Sequence, residues 1–202
     1  AETVQWRGDL ESFRSSGAAD VLLEAPAKLE LARDRVALAS ARLRFADGEF
    51  RVDDLLVEQG RITSHGAFTG VPAETVARLA DASLPFTTDV AFGGAWSIAA
   101  TPRLGGTISI RRERGDVRYD AGPGTSREEA SIGLSRLDLD VRFDNDAIDG
   151  SATLASARSG SATLAFAIAP SPTAAPGTLR GDAPLAARFD GEWPSLKLLQ
   201  PW

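Results

Sequence analysis

Cysteine and methionine are both missing from the 202 residues. Without cysteine there are no disulfides, thiolate metal sites or cysteine nucleophiles, and thiol usage says nothing about the redox compartment. A segment that opens Ala1-Glu2-Thr3 without Met reads as a piece taken or processed from something longer. Lysine is nearly absent too: of 22 basic residues, only Lys28 and Lys197 are not arginine, a skew expected of GC-rich coding. Against 28 acidic residues the net charge is −6. Such a chain lacks the clustered cations that displace counterions from a phosphate backbone, so nucleic acid is not an expected partner. No apolar run approaches the roughly 18 to 20 residues that span a bilayer. The N-terminus also lacks the charged, apolar, small-residue order of a signal peptide.

The residue sets of common chemistries are sparse. His65 is the single histidine, and it stands on a strand with no Cys, second His or carboxylate pair close in sequence, so it reads as a surface residue. The run Asp138, Asp140, Asp144, Asp146, Asp149 fails the calcium-loop template. Counted from Asp144, the fifth position is Ile148; counted from Asp138, it is Arg142. A solvated strand face followed by the turn Asp144-Asn145-Asp146 accounts for it. Gly122-Pro123-Gly124 lacks the third glycine of a dinucleotide loop, and no Gly-Lys-Ser/Thr follows a glycine-rich stretch, so no cofactor is expected. Arg111, Arg112 and Arg114 form a basic cluster suited to solubility, or to a lipid headgroup or acidic partner. Carboxylate pairs for glycoside hydrolysis are spaced in three dimensions, and nothing in the order of residues points to them. An enzyme is not the expected reading.

Period-two alternation is what the chain does contain. Leu137, Leu139, Val141 and Phe143 interleave with Asp138, Asp140, Arg142 and Asp144. Phe86, Thr88, Val90 and Phe92 alternate with Thr87, Asp89 and Ala91, and Ile62, Ser64, Gly66 and Phe68 alternate with Arg61, Thr63, His65 and Ala67. Ala46-Asp47-Gly48-Glu49 joins Leu43 and Phe45 to Phe50 and Val52. Glu113-Arg114-Gly115-Asp116 joins Leu104 to Arg112, with Ile108 and Ile110 inward, to Val117 and Tyr119. Both read as hairpins. Further strands are expected at Val21 to Glu24, Lys28 to Ala32, Arg35 to Ser40, Ala152 to Ala157 and Thr163 to Ala169.

Two stretches favour helix. One runs from Pro72 to about Ala82, with Pro at the first helical position, Glu74 in the first turn and Val76, Leu79 and Ala80 on one stripe; the other runs from Pro194 to Leu199. Gly122-Pro123-Gly124 and the Pro-rich stretch from Pro170 to Gly177 read as loops. A weak repeat of an aromatic, then Gly, then a Leu-bearing turn or helix occurs at Trp6-Arg7-Gly8, Phe68-Thr69-Gly70 and Phe189-Asp190-Gly191. Glycines at 8, 70 and 191 fit units of about 60 residues within a single body of 1–202.

Several phrases then fall in a familiar order. Gln59-Gly60-Arg61-Ile62-Thr63-Ser64-His65-Gly66-Ala67-Phe68-Thr69-Gly70 precedes a short helix. It is followed by Leu84-Pro85, Gly93-Gly94-Ala95-Trp96, Leu104-Gly105-Gly106-Thr107 and Arg111-Arg112-Glu113-Arg114-Gly115-Asp116-Val117, and Pro194-Ser195-Leu196 to Gln200-Pro201-Trp202 closes the series. This succession resembles the repeating β-segments of the TamB-type translocation and assembly module proteins of the AsmA-like superfamily, over about Val4 to Trp202. The family's membrane anchor and the terminal region thought to meet its outer-membrane partner are not among these residues, and the family carries no catalytic residues.

The resemblance implies a periplasmic protein held in the inner membrane by a segment elsewhere, with an elongated curved sheet folded over like a taco around an apolar groove. It also implies work with a TamA-type outer-membrane barrel in assembling outer-membrane proteins, autotransporters included, or phospholipid transport between inner and outer membranes. Expected cargoes are therefore phospholipid acyl chains or unfolded outer-membrane β-strands, the latter by addition to an open sheet edge. The alternating residues expected to line the groove are Leu43, Phe45, Phe50, Val52, Phe86, Val90, Phe92, Ile108, Ile110, Leu139, Val141 and Phe143. The fold expected is all-β, an open curved groove with one or two short helices. A closed β-sandwich binding or adhesion module, with recognition on loops such as 122–129, is the competing reading; a hydrolase with unseen carboxylates is a more distant one.

Overall fold

Long runs of alternating apolar and polar residues favour strands that bury one face, and two-residue turns then connect them antiparallel. The computed structural model describes residues 5–17, 20–120, 129–170 and 183–194. Their order is β1 (Gln5–Leu10), β2 (Arg14–Ser15), β3 (Val21–Ala25), β4 (Ala27–Ala32), β5 (Arg35–Phe45), β6 (Gly48–Glu58), β7 (Arg61–Pro72), α1 (Ala73–Leu79), β8 (Thr87–Thr88), β9 (Ala91–Ala100), β10 (Leu104–Arg114), β11 (Val117–Asp120), β12 (Glu129–Ser131), β13 (Leu134–Asp144), β14 (Ala147–Ser156), β15 (Gly160–Ile168) and β16 (Leu185–Glu192). Of the described residues, 72% are in strands.

One large antiparallel sheet runs β1-β4-β5-β6-β7-β9-β10-β13-β14-β15-β16 and is not closed into a barrel. The all-β fold expected from the alternation, and the open curved sheet that the resemblance implies, are what the chain forms. The competing closed sandwich is not: among the described residues the only other sheet is the short β12-β11-β8. Among the described residues no large side chain is fully buried, and the chain exposes 13220 Å², against about 9,100 Å² for a compact monomer of this mass.

Turn chemistry sets the hairpins. Gln59 and Gly60 between β6 and β7, and Asn145 and Asp146 between β13 and β14, all have positive φ, the twist that two-residue hairpin turns require. Ala46-Asp47 joins β5 to β6 as expected. β3 and β4 lie end to end along β5, interrupted at Pro26, which has no N–H to donate. Across that break Ser40 takes φ 57°, and the β6–β7 register slips between Val52 and Asp54. These bulges bend the strands. In the bend Leu23, Ala27 and Ala41 are buried together, with Leu10, Leu38, Leu43 and Val52 packed against them.

Three expectations need correction. The stretch Phe86–Phe92 is not one strand: Phe86 is an exposed residue before β8, Thr87–Thr88 pair with β11, Val90 is a buried connector, and only from Ala91 does the chain join the large sheet. The segment Leu104–Tyr119 is not a hairpin. β10 pairs with β9 and β13, whereas β11 turns away to pair with β12 and β8. Gly115, at φ 88°, lies where a Cβ would overlap the Asp89 carbonyl and Val90, so the chain leaves the sheet by a path only glycine fits. In α1, Pro72 is the N-cap and not the first helical residue. Thr75 is its buried residue, while Val76 and Leu79 are 46% and 48% exposed. Of the three aromatic-Gly phrases, Phe68-Thr69-Gly70 leads to a helix and Leu10 after Trp6-Arg7-Gly8 continues β1, while Leu196 after Phe189-Asp190-Gly191 lies outside the described residues. The helix expected at Pro194–Leu199 and the loops at 122–128 and 171–177 lie outside the described residues.

Candidate functional site: the apolar face of the sheet

Opposed residues of neighbouring strands share a face, so the registers assemble side chains into rows. One row crosses all eleven strands of the path: Gly8, Leu29, Leu38, Leu55, Ser64 and Ile98, then Gly106, Phe143, Ile148, Ile168 and Leu185. A second runs Val52, Gly66, Trp96, Ile108, Val141, Gly150, Phe166 and Ala187, and a third runs Leu43, Phe50, Phe68, Gly94, Ile110, Leu139, Ala152, Leu164 and Phe189. No charged residue interrupts them. Most of these side chains are half-buried, shielded only by one another.

Of the residues expected to line a groove, Leu43, Phe45, Phe50, Val52, Ile108, Ile110, Leu139, Val141 and Phe143 stand on this face. Phe92 joins them by alternation from Gly94 and Trp96 along β9. Phe86 and Val90 do not, because neither lies in the large sheet. Residues on the face that the sequence reading left out include Trp96, Ile98, Phe68, Leu38 and Phe166. The alternation of Ala162, Leu164, Phe166 and Ile168 was a usable signal for β15. Leu38 was not legible, because Ser40 and Asp53 invert the parity of β5 and β6.

Aromatic rings on this face lie against glycines of the next strand. Trp96 stands over Gly66, Phe68 over Gly94 and Phe166 over Gly150, each filling the space of the missing Cβ. Phe50 stacks on Phe68 with centroids 5.3 Å apart and meets Phe45 edge-on at 5.5 Å. The Trp96 indole N–H donates to Ser64 Oγ at 3.0 Å, which satisfies the one polar side chain of its row.

The opposite face is polar and largely self-paired. Arg111 donates to Asp140 at 2.7 Å and lies 3.8 Å from Asp138; the hydrogen bond to Asp140 holds its guanidinium above the ordinary value. Arg112, opposite Phe92 and so on the apolar side at the end of β10, donates to the Gly115 carbonyl at 2.8 Å. These two members of the basic cluster therefore serve the fold and are not free at a hairpin end. Asp146 is buried and accepts the Leu104 N–H at 2.7 Å, tying the β13–β14 turn to β10. His65 is exposed, as expected, but Asp54 on β6 accepts at its Nδ1 at 2.8 Å. Ser97 stands opposite on β9, and among the described residues no hydrogen bond joins it to His65. No group of three or more potential metal ligands occurs among the described residues.

A hollow of about 790 Å³ lies against β10 and β13–β16. Its lining takes in the apolar row Ile108-Val141-Gly150-Phe166-Ala187 and the two rows beside it, Thr107-Arg142-Asp149-Ala167-Ala186 and Ser109-Asp140-Ser151-Ala165-Arg188. Ile108 and Val141, both expected groove-lining residues, are among the residues that border it.

At the end where β7, β9, β10 and β13 meet, Asp116 is a polar hub. Burial alone would raise its carboxyl. Hydrogen bonds from the Ser131 hydroxyl and from the N–H groups of Leu134, Val117 and Gly133 outweigh that and lower it to about 2. Its own N–H donates to Asp89 Oδ1 at 2.7 Å.

Compared with protein-family models, curated proteins and solved structures, the chain matches none of them. No helix among the described residues is long and apolar enough to cross a membrane.

Proposed function

We propose that the apolar face is a receiving surface for acyl chains or unfolded amphipathic strands, as in a periplasmic conduit or scaffold segment of TamB type. The observation that carries this reading is the set of three apolar rows with, among the described residues, no second layer of comparable size over them. Contiguous exposed apolar surface on this scale marks a binding site. An acyl chain gains roughly 0.8 kcal/mol for each CH₂ it buries, so a few methylenes bias a lipid onto the face while its headgroup stays in water. The chemistry is burial, with no bond made or broken. The resemblance of the motif order to that of TamB-type proteins supports the same reading, and with it work beside an outer-membrane barrel and an anchor elsewhere in a parent protein.

The test is photocrosslinking from single positions in the purified chain, offered phospholipid vesicles in one arm and an unfolded outer-membrane β-strand peptide in the other. Probes at Phe50, Phe92 and Val141 are expected to capture one of the two, and a probe at Thr107 on the polar face to capture neither. Equal capture from Thr107, or none from the three apolar positions, would overturn the proposal. Which arm yields adducts decides between the cargoes.

A further inference from the structure

We propose that this chain pairs with a second copy of itself through β16, antiparallel, with Phe189 on the two-fold axis. This pairing does not depend on what the apolar face binds.

β16 ends the strand path, and among the described residues nothing pairs with its outer side. All eight of its residues are exposed, with Leu185 at 66% and Phe189 at 57%. It has no proline, and its pairing with β15 shows no register shift. An unprotected edge of this kind presents a row of free N–H and C=O groups that template another strand.

The side chains select which strand. Arg188 lies opposite Ala165 and Asp190 opposite Thr163 on β15, so neither has a charged cross-strand partner within its own sheet. They pair with each other along the strand, at 2.9 Å, while both are well exposed, a contact worth little in water. At the other edge of the sheet, Arg7 and Asp9 of β1 are already taken by Glu30 at 3.1 Å and Lys28 at 2.6 Å on β4. Of the two end strands of the path, β16 is the one whose described charges have no cross-strand partner.

Opposed residues must share a face, so a two-fold antiparallel pair must be centred on a residue. Centring on Arg188 or Asp190 sets like charges against each other. Centring on Ala187 leaves Arg188 opposite Ala186. Centring on Phe189 places Arg188 against Asp190 of the second copy, twice, and sets Ala187 against Gly191. The two-fold axis is then perpendicular to the sheet, so both apolar faces stay on the same side. The stack of Phe189 on Trp193, with centroids 5.7 Å apart, meets its equivalent across the axis. Two sheets become one, with a continuous apolar face. Self-complementarity of this kind is what an isologous interface requires.

Sedimentation equilibrium of the 202-residue chain tests it, with circular dichroism confirming that each variant keeps its β-structure. The wild type is expected to dimerise as concentration rises. Arg188→Asp and Asp190→Arg should each weaken the dimer about tenfold or more, because each turns two attractive cross-strand pairs into repulsive ones. The double exchange Arg188→Asp/Asp190→Arg should restore it. Because the chain has no cysteine, Phe189→Cys supplies a unique thiol that mild oxidation should link to its counterpart, whereas Leu164→Cys one strand inward should stay monomeric. A wild type that is monomeric throughout, single reversals without effect, or a double exchange that fails to rescue would overturn the proposal.

Discussion

The carboxylate of Glu113 crosses strand β9 to accept the N–H of Gly70 at 2.9 Å, passing over Gly93 on the way. Both ends of this link sit in bulges. The β7–β9 register slips between Phe68 and Val71, and the β10–β9 register slips between Arg112 and Arg114. A bulge leaves a backbone group unpaired and bends the strand, and here a side chain from the next bulge but one strand away satisfies the orphan N–H.

Glu113→Ala is therefore expected to cost about 1 kcal/mol of unfolding free energy, the worth of one such hydrogen bond. Gly93→Ala should cost a similar amount, because its Cβ would occupy the carboxylate's position. Urea denaturation of the double variant should show a loss little greater than either single one. Fully additive losses would show that Gly93 does not act through Glu113.

The glycines beneath aromatic rings should differ in tolerance. A Cβ at Gly94 would meet the Ser109 carbonyl as well as the Phe68 ring, whereas at Gly150 the nearest atoms all belong to the outer end of the Phe166 ring. A ring can swing aside; a paired backbone cannot without parting two strands. Gly94→Ala is expected to cost about 2 to 3 kcal/mol and Gly150→Ala about 1 kcal/mol, read as the difference in urea-derived stability. Equal costs would mean that β9 and β10 separate freely.

Asp116 gives the fold a pH dependence with a defined sign. Its folded value of about 2 lies below the ordinary 3.8, so its contribution is complete above 3.8 and is lost as pH falls through that range toward 2. With partial solvent screening the loss is expected to be about 1 to 2 kcal/mol between pH ~5 and ~2. Asp116→Asn should be less stable at pH ~5 and should lose less on acidification. Parallel pH curves for the two proteins would exclude this role.

How far the sequence could be read depended on the range of the determining interaction. Leu139, Val141 and Phe143 share a face with Ile108 and Ile110 because two unbroken strands each alternate with period two, a property of covalent geometry that needs no partner. The Ala46-Asp47 turn and α1 were legible for the same local reason. Phe86 and Val90 were not, since Asp89 is drawn to Asp116 and Arg118 and away from the sheet.

The sequence by itself determined an all-β chain with one greasy and one charged face on most strands, because alternation and turn residues act over neighbours a few positions apart. Only the tertiary structure decided that Leu38 and Leu43 share a side across the Ser40 bulge, that β11 deserts β10, and that Glu113 serves Gly70. Each of these is fixed by hydrogen bonds and steric overlaps between residues far apart in the chain, which no local pattern encodes.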